Sequence, residues 1–268
     1  MHGTGIAAAR LRSVGALKTY DPPLSALVGG RVDGWSRRGK FLDMQAGDLH
    51  LVVHLARAGW IRWRERLTEA RPSLRGPLAL QLELDGGAGV DITEQGTEKR
   101  LALYVVRRPD DVPGVARLGV DVLDVSLDTQ HLGELLRRSR GQLKTVLADQ
   151  ALIAGVGNAY SDEILHASRL SPFRAATSLS DEEVARLHGA ARSVMGAALE
   201  RASGVDIAAL KPDKREHLAV HGRAGQPCPV CGDTVREVSL ATRSFQYCPT
   251  CQTGGRVLAD RRLSRLLR

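Results

Sequence analysis

The stretch "CPVCGDTVREVSLATRSFQYCPTC", from Cys228 to Cys251, contains all four cysteines of the chain. Cys228-x2-Cys231, sixteen intervening residues and Cys248-x2-Cys251 reproduce the spacing of a two-knuckle zinc hairpin, in which each pair supplies two thiolates to one tetrahedral ion. With no other cysteine present and a reducing compartment assumed, paired C-x-x-C motifs read as metal ligands in preference to disulfides. Iron is the competing ion for such a set. Four protein ligands leave no open position for a catalytic water, so the metal is a staple. Between the knuckles, "VREVSL" and "SFQYC" alternate as the arms of a β-hairpin, with "ATR" placing Arg243 at or close to its tip. An ordinary zinc ribbon also carries surface arginines, so the segments upstream have to decide what this one does.

Upstream lies "IAGVGNAYSDE", residues 153–163. Gly155 and Gly157 permit a tight backbone turn, after which Asn158 begins a helix with its amides pointing outward. Exposed amides at a helix start attract phosphate, and Arg140 and Lys144 just before the turn favour that reading over a plain helical corner capped by Asn158. Around the turn, "DTQHLGELLRRSR", "QLKTVLADQAL", "NAYSDEILHASRL" and "SDEEVARLHGAARSVMGAALERA" repeat apolar residues at spacings of three and four, which predicts a small helical bundle. Ser180 with Glu183 gives the last helix a capping box.

The N-terminal part has a different period. From about Val14 to Val106, "GRVDGWSRRGKFLDM", "LHLVVHL", "LALQLELDGG", "VDITEQ" and "RLALYVVR" run apolar or alternate for a few residues between glycine-rich turns, which predicts a β-sandwich or flattened barrel. "GGAG" at Gly86–Gly89 reads as a turn between strands, since no helix follows it to make a phosphate loop. "RRPDDVPGVARLGVDVLD", with Pro109 and Pro113, reads as a linker. The resulting division is 1–112 for the β domain, 113–218 for the helices, 219–256 for the finger and 257–268 for a basic tail with a helical pattern after Leu258, which either extends a nucleic-acid footprint or is a solvated end.

Thirty-eight Lys and Arg against thirty Asp and Glu give a net charge of +8, which favours a polyanionic partner such as nucleic acid over a neutral small molecule. Aromatics are 4% of the chain, so Leu and Val have to fill the core. No apolar run reaches the roughly 18 residues of a membrane span, and the start "MHGTGIAAAR" has no signal pattern. The expectation is a soluble monomer inside the cell, cytoplasmic and associated with the nucleoid.

These motifs, in this order, resemble the formamidopyrimidine-DNA glycosylase and endonuclease VIII family of bifunctional DNA repair enzymes. "VGNAYSDEIL" is similar to its helix–two-turn–helix signature, and "HGRAGQPCPVCG" with "TRSFQYCPTCQ" to its C-terminal zinc finger. "RRGKFLD" resembles the hairpin of its N-terminal domain and "HLARAG" the strand and loop that follow, so that the likeness runs from about Leu17 to Leu267. The resemblance implies an α+β multidomain fold: an N-terminal β-sandwich truncated at its start, a helical domain with the helix–two-turn–helix, and a four-cysteine finger holding one structural zinc. It implies removal of oxidised bases from damaged double-stranded DNA, with abasic-site lyase activity. The damaged nucleotide is turned out of the stack because its glycosidic carbon is inaccessible inside it. On this pattern Asn158 binds backbone phosphate beside the lesion, and Lys40 contacts phosphate and helps to position the abasic sugar. Arg243 holds the phosphate released on strand elimination, a role that suits the planar, permanently charged guanidinium.

The chain departs from the pattern in two places. The family attacks C1′ with the amine of an N-terminal proline followed by glutamate, whereas this chain begins "MHGTG" and reaches "LKTYDPP" without the family's long first helix. A start recorded too late, a natural short form that binds DNA without cutting, and a substitute amine such as Lys40 or Lys18 are the competing explanations, and retention of every downstream motif favours the first. In the loop that fills the gap left by an everted base, "TEQGTEKRLALY" has no phenylalanine, and "HLARAG" carries Arg57 where methionine is frequent. Arg57, Lys99 and Arg100 remain candidate DNA contacts. The alternative from another class is a non-catalytic zinc-finger protein that binds damaged or abasic DNA.

Overall fold

The computed structural model describes residues 1–68, 76–203, 216–239 and 244–258. They fall into two compact units, Met1–Leu118 and Gly119–Arg268.

The first unit is a sandwich of two four-stranded antiparallel sheets. One sheet has the order β1 (Ile6–Leu11), β6 (Leu78–Leu84), β7 (Gly89–Glu94), β5 (Gly59–Arg64). The other has the order β2 (Val32–Arg38), β3 (Phe41–Ala46), β4 (Leu49–His54), β8 (Ala102–Val106). Alternation decides what faces inward: Met44 pairs with Leu51 and Leu51 with Val105, and all three sit in the core with Leu80, Leu82 and Ile92 of the opposite sheet. The turn expected at Gly86–Gly89 joins β6 to β7, with Gly86 and Gly87 at φ of 89° and 82°, a region that favours glycine.

Two expectations need correction here. The sandwich begins at Ile6, not near Val14: β1 pairs along β6 from Ile6↔Leu84 to Leu11↔Leu80. The stretch read as a linker is packed, because Val112 and Val115 are buried against Val52 and Val106 on the outer face of β4 and β8. That cover explains why "LHLVVHL" is apolar on both faces and does not alternate.

The second unit holds the two-residue strands β9 (Val120–Asp121) and β10 (Ile153–Ala154), which pair in parallel, and the helices α1 (Thr129–Arg138), α2 (Leu143–Ala148), α3 (Asn158–Ala167) and α4 (Asp181–Ser203). Leu132, Leu136, Leu147, Ile164, Leu165 and Leu187 make its core. Asp128 caps α1 by accepting from the His131 amide at 2.7 Å. The capping box of α4 is present in both directions, Glu183 N to Ser180 Oγ at 3.3 Å and Ser180 N to Glu183 Oε2 at 3.0 Å. The hairpin expected between the knuckles is β11 (Arg236–Ser239) paired with β12 (Ser244–Tyr247), followed by the single-turn α5 (Pro249–Thr253). Among the described residues no helix is long and apolar enough to cross a membrane.

Candidate nucleic-acid interface and metal centre

The four cysteine sulfurs lie within 4.8 Å of one another, with Cys228 and Cys251 at 3.9 Å and Cys231 and Cys248 at 3.4 Å. Tetrahedral coordination at about 2.3 Å per Zn–S bond places sulfurs at comparable separations. Each knuckle is shaped by its own backbone: Gly232 N donates to Cys228 O at 2.9 Å, and Gly232 itself takes a φ of 78°. The charge also fits a cation. Burial pushes the Cys248 thiol up to about 11, and that of Cys251 higher still, so these two persist as thiolates when a positive ion sits among the sulfurs.

The glycine turn precedes α3 in the same unit. Gly155 has a φ of 96°, and Gly157 occupies the N-cap of α3, where it offers no side chain to the first amides. The start of α3 therefore presents uncapped N–H groups, as an anion site requires. Asn158 is the first helical residue and not the cap. Its Nδ2 donates to the Ser244 carbonyl at 2.9 Å, and its buried Oδ1 has no partner among the described residues. Ser244 directly follows Arg243, so Asn158 ties the glycine turn to the foot of the strand that leaves the hairpin tip. Arg243 itself lies outside the described residues, as does the tail from residue 259 onward.

In the first unit, Gly39 and Lys40 form the turn between β2 and β3, closed by the Arg38↔Phe41 pair, and Gly39 takes a φ of 55°. Lys40 is exposed at that tip. Across the strand pair, Phe41 packs on His54 with ring centroids 4.8 Å apart. Burial, and then the positive charge of Lys40, hold the His54 imidazole below its ordinary value, which favours its neutral form.

Three family models match along the chain. Residues 1–101 match the formamidopyrimidine-DNA glycosylase N-terminal domain, residues 118–208 the formamidopyrimidine-DNA glycosylase H2TH domain, and residues 225–254 the zinc finger found in FPG and IleRS. The formamidopyrimidine-DNA glycosylase of Moorella thermoacetica is 36% identical over 232 residues, covering 84% of this chain and 83% of its own. The chain belongs to the formamidopyrimidine-DNA glycosylase family. A Mycobacterium tuberculosis protein described as an uncharacterized formamidopyrimidine-DNA glycosylase-like protein is 58% identical over 156 residues, 58% of this chain and 98% of its own. Among solved structures, a complex of the Lactococcus lactis protein with FAPY-dG-containing DNA shares the fold with a TM-score of 0.80 at 24% identity, over 94% of this chain and 93% of that one.

Within the glycosylase fold the remaining expected contacts are placed as follows. Arg140 is exposed between α1 and α2, and Arg57 is exposed in the turn between β4 and β5. Lys99 and Arg100 are exposed on a loop folded around the buried Glu94, whose Oε1 accepts from the amides of Arg100 and Leu101 at 2.6 and 2.8 Å. Lys99 Nζ donates to the Glu94 carbonyl at 2.6 Å, and Arg100 pairs with Glu98 at 3.0 Å. Lys18, the other amine considered, is an exposed side chain that donates to the Gly15 carbonyl.

Lys144 is a correction. It was expected on the phosphate surface, yet it is 4% exposed, and its ammonium reaches Asp162 Oδ1 at 2.5 Å, Asn158 O at 2.6 Å and Ser161 Oγ at 2.8 Å. A buried ammonium requires such a cage, and this one braces the first turn of α3 from below. Asp162 and Glu163, passed over in the sequence, bind the finger: Asp162 Oδ2 meets His221 Nδ1 at 2.7 Å, and Glu163 accepts from the amides of Ala219, Val220 and His221 at 2.7, 3.0 and 2.8 Å. The available signal was two adjacent acids in a helix that starts a proposed anion site, where acidic side chains facing solvent would repel the ligand.

Proposed function

We propose that this chain is a base-excision repair glycosylase that grips damaged duplex DNA by its phosphates and, with its catalytic amine in place, excises an oxidised base and cleaves the abasic site. The observation that carries this reading is the Asn158–Ser244 bond, which joins the uncapped start of α3 to the residue after Arg243. Backbone amides and a side-chain amide meet there, and Arg243 immediately precedes Ser244 in sequence, a set of donors suited to an anion. Membership of the glycosylase family supplies the anion's identity as a DNA phosphate.

In this reading the residues of the chain have separable tasks. The amides of α3 and Asn158 hold the backbone beside the lesion, and breaking of the Ser244 contact frees the Asn158 amide to donate to phosphate. Lys40, on the turn between β2 and β3, neutralises a further phosphate. Arg243 stabilises the phosphate that departs on elimination. One zinc ion, bound by Cys228, Cys231, Cys248 and Cys251, fixes the hairpin that carries Arg243. Excision needs an amine that is neutral long enough to attack C1′ and that forms a cationic Schiff base afterwards. In the family that amine is an N-terminal proline.

Borohydride trapping on a duplex with one abasic site tests the chemistry. A covalent adduct, mapped by peptide sequencing, supports an enzyme and names its amine. Tight binding without an adduct transfers the support to the non-catalytic binder of damaged DNA, and absence of preferential binding to the abasic duplex sinks both.

A further inference from the structure

We propose that His166 is an outer-sphere residue of the metal centre, donating its Nε2–H to the Cys228 thiolate and so making the zinc site part of α3. The inference rests on the zinc reading of the four cysteines. His166 Nε2 lies 3.3 Å from Cys228 Sγ, and both residues are buried, 5% and 2% exposed. The imidazole is not on the finger but on the helix that opens with Asn158.

Its place on that helix gives the contact its meaning. Asn158, Asp162 and His166 are spaced four apart and form one stripe of α3. Every member of the stripe reaches toward the finger: Asn158 to Ser244 O at 2.9 Å, Asp162 to His221 Nδ1 at 2.7 Å, and His166 to Cys228. An aliphatic side chain at 166 would fill the space next to Cys228 but leave the sulfur without this donor. Four thiolates on one divalent ion carry a net double negative charge. An N–H donor spreads that charge and makes the sulfur less prone to protonation and release. The same bond fixes the Cys228 knuckle against the far end of the helix whose first turn presents the anion site.

The test is zinc release from the full chain to excess chelator, followed with a chromogenic indicator. His166→Phe keeps a ring of similar size without the donor, and release is expected to accelerate about tenfold or more, the usual range for an outer-sphere partner. His166→Gln keeps an amide donor near Nε2 and is expected to recover most of the wild-type rate, which a purely space-filling role would not allow. Wild-type release from His166→Phe, or equal acceleration in both variants, overturns the proposal. Nitrogen NMR of the zinc-loaded wild-type chain decides independently of how the variants fold: a protonated Nε2 at neutral pH supports it, and a tautomer protonated at Nδ1 alone overturns it. If the wild-type chain carries no zinc, the ligand reading falls and this inference with it.

Discussion

The two units solve the same problem with different materials. The sandwich is held by aliphatic pairs, such as Leu51 between Met44 and Val105, and its buried acids Asp43 and Asp91, in mid-strand on β3 and β7, pair with more exposed partners, Arg38 and His50 for one and Arg64 for the other. The second unit buries Lys144, Asp162, Glu163 and His166 within reach of one helix. The finger explains the difference. Its apolar packing is split in two, Val220 and Val235 beside the cysteines, and Val238, Phe245, Tyr247 and Leu258 against Phe173, and buried polar contacts add to it. Hydrogen bonds to Asp162 and Glu163 tie the finger to α3, at a cost in desolvation but specifying one register.

If that contrast is right, the largest effect belongs to the metal. Cys248→Ser should release zinc and strip hydrogen-exchange protection from the amides of Val220, Cys228 and Cys248, while the β3–β4 ladder keeps its protection. Retained zinc in that variant would refute the ligand set. Next comes the buried ion pair. Asp162→Ala strands the Lys144 ammonium and should lower stability by about 3–5 kcal/mol in denaturant titrations. Leu51→Ala in the sandwich should lose a comparable amount, about 2–5 kcal/mol, through cavity formation. The distinguishing readout is DNA binding under conditions where both variants are folded: Asp162→Ala should impair it and Leu51→Ala should not. Equal impairment would erase the contrast between a specifying and a merely stabilising interior.

Phosphate contacts should show a smaller, uniform effect. Arg243→Ala and Lys40→Ala should each weaken binding to duplexes of any sequence and reduce the slope of log affinity against log salt by roughly one. In an active form, Arg243→Ala should also reduce strand scission while leaving zinc content near wild type. A variant with an unchanged slope would remove that residue from the interface.

The smallest effect concerns His54. Because burial and Lys40 lower its pKa, the folded chain binds this proton more weakly than the unfolded chain, whose imidazole titrates near 6.5. Its contribution to stability is therefore complete above that value and is lost as pH falls through it toward the lower folded value. His54→Gln should flatten the fall in denaturation midpoint over this window, and an unaltered pH profile would show that the imidazole takes no part in it.

Local spacing made much of the molecule readable. The cysteine pairs, the hairpin arms, the Ser180–Glu183 box and the helical periods all depend on residues near one another in sequence, and each is found where the pattern put it. Strands β1 and β5 were missed, and they are the two edges of their sheet. An edge strand has one neighbour and a partly exposed face, so "IAAARL" and "GWIRWR" show neither clean alternation nor a continuous apolar run. The stretch after Pro109 looked like a linker because the first two of its buried valines, Val112 and Val115, are separated by Pro113 and Gly114 and face a sheet rather than each other.

By itself, the sequence determined the four-cysteine cluster, the order of β and helical regions, and the glycine turn before Asn158, because these follow from bond geometry and from periods of two and 3.6 residues. Tertiary structure decided which charges serve the surface and which serve the interior. Lys144 looks like any other cation beside Arg140 until α3 folds over it, and Asp162, Glu163 and His166 look like a solvated helix face until the finger packs there. Desolvation and partner geometry set those roles, and neither exists before distant segments meet.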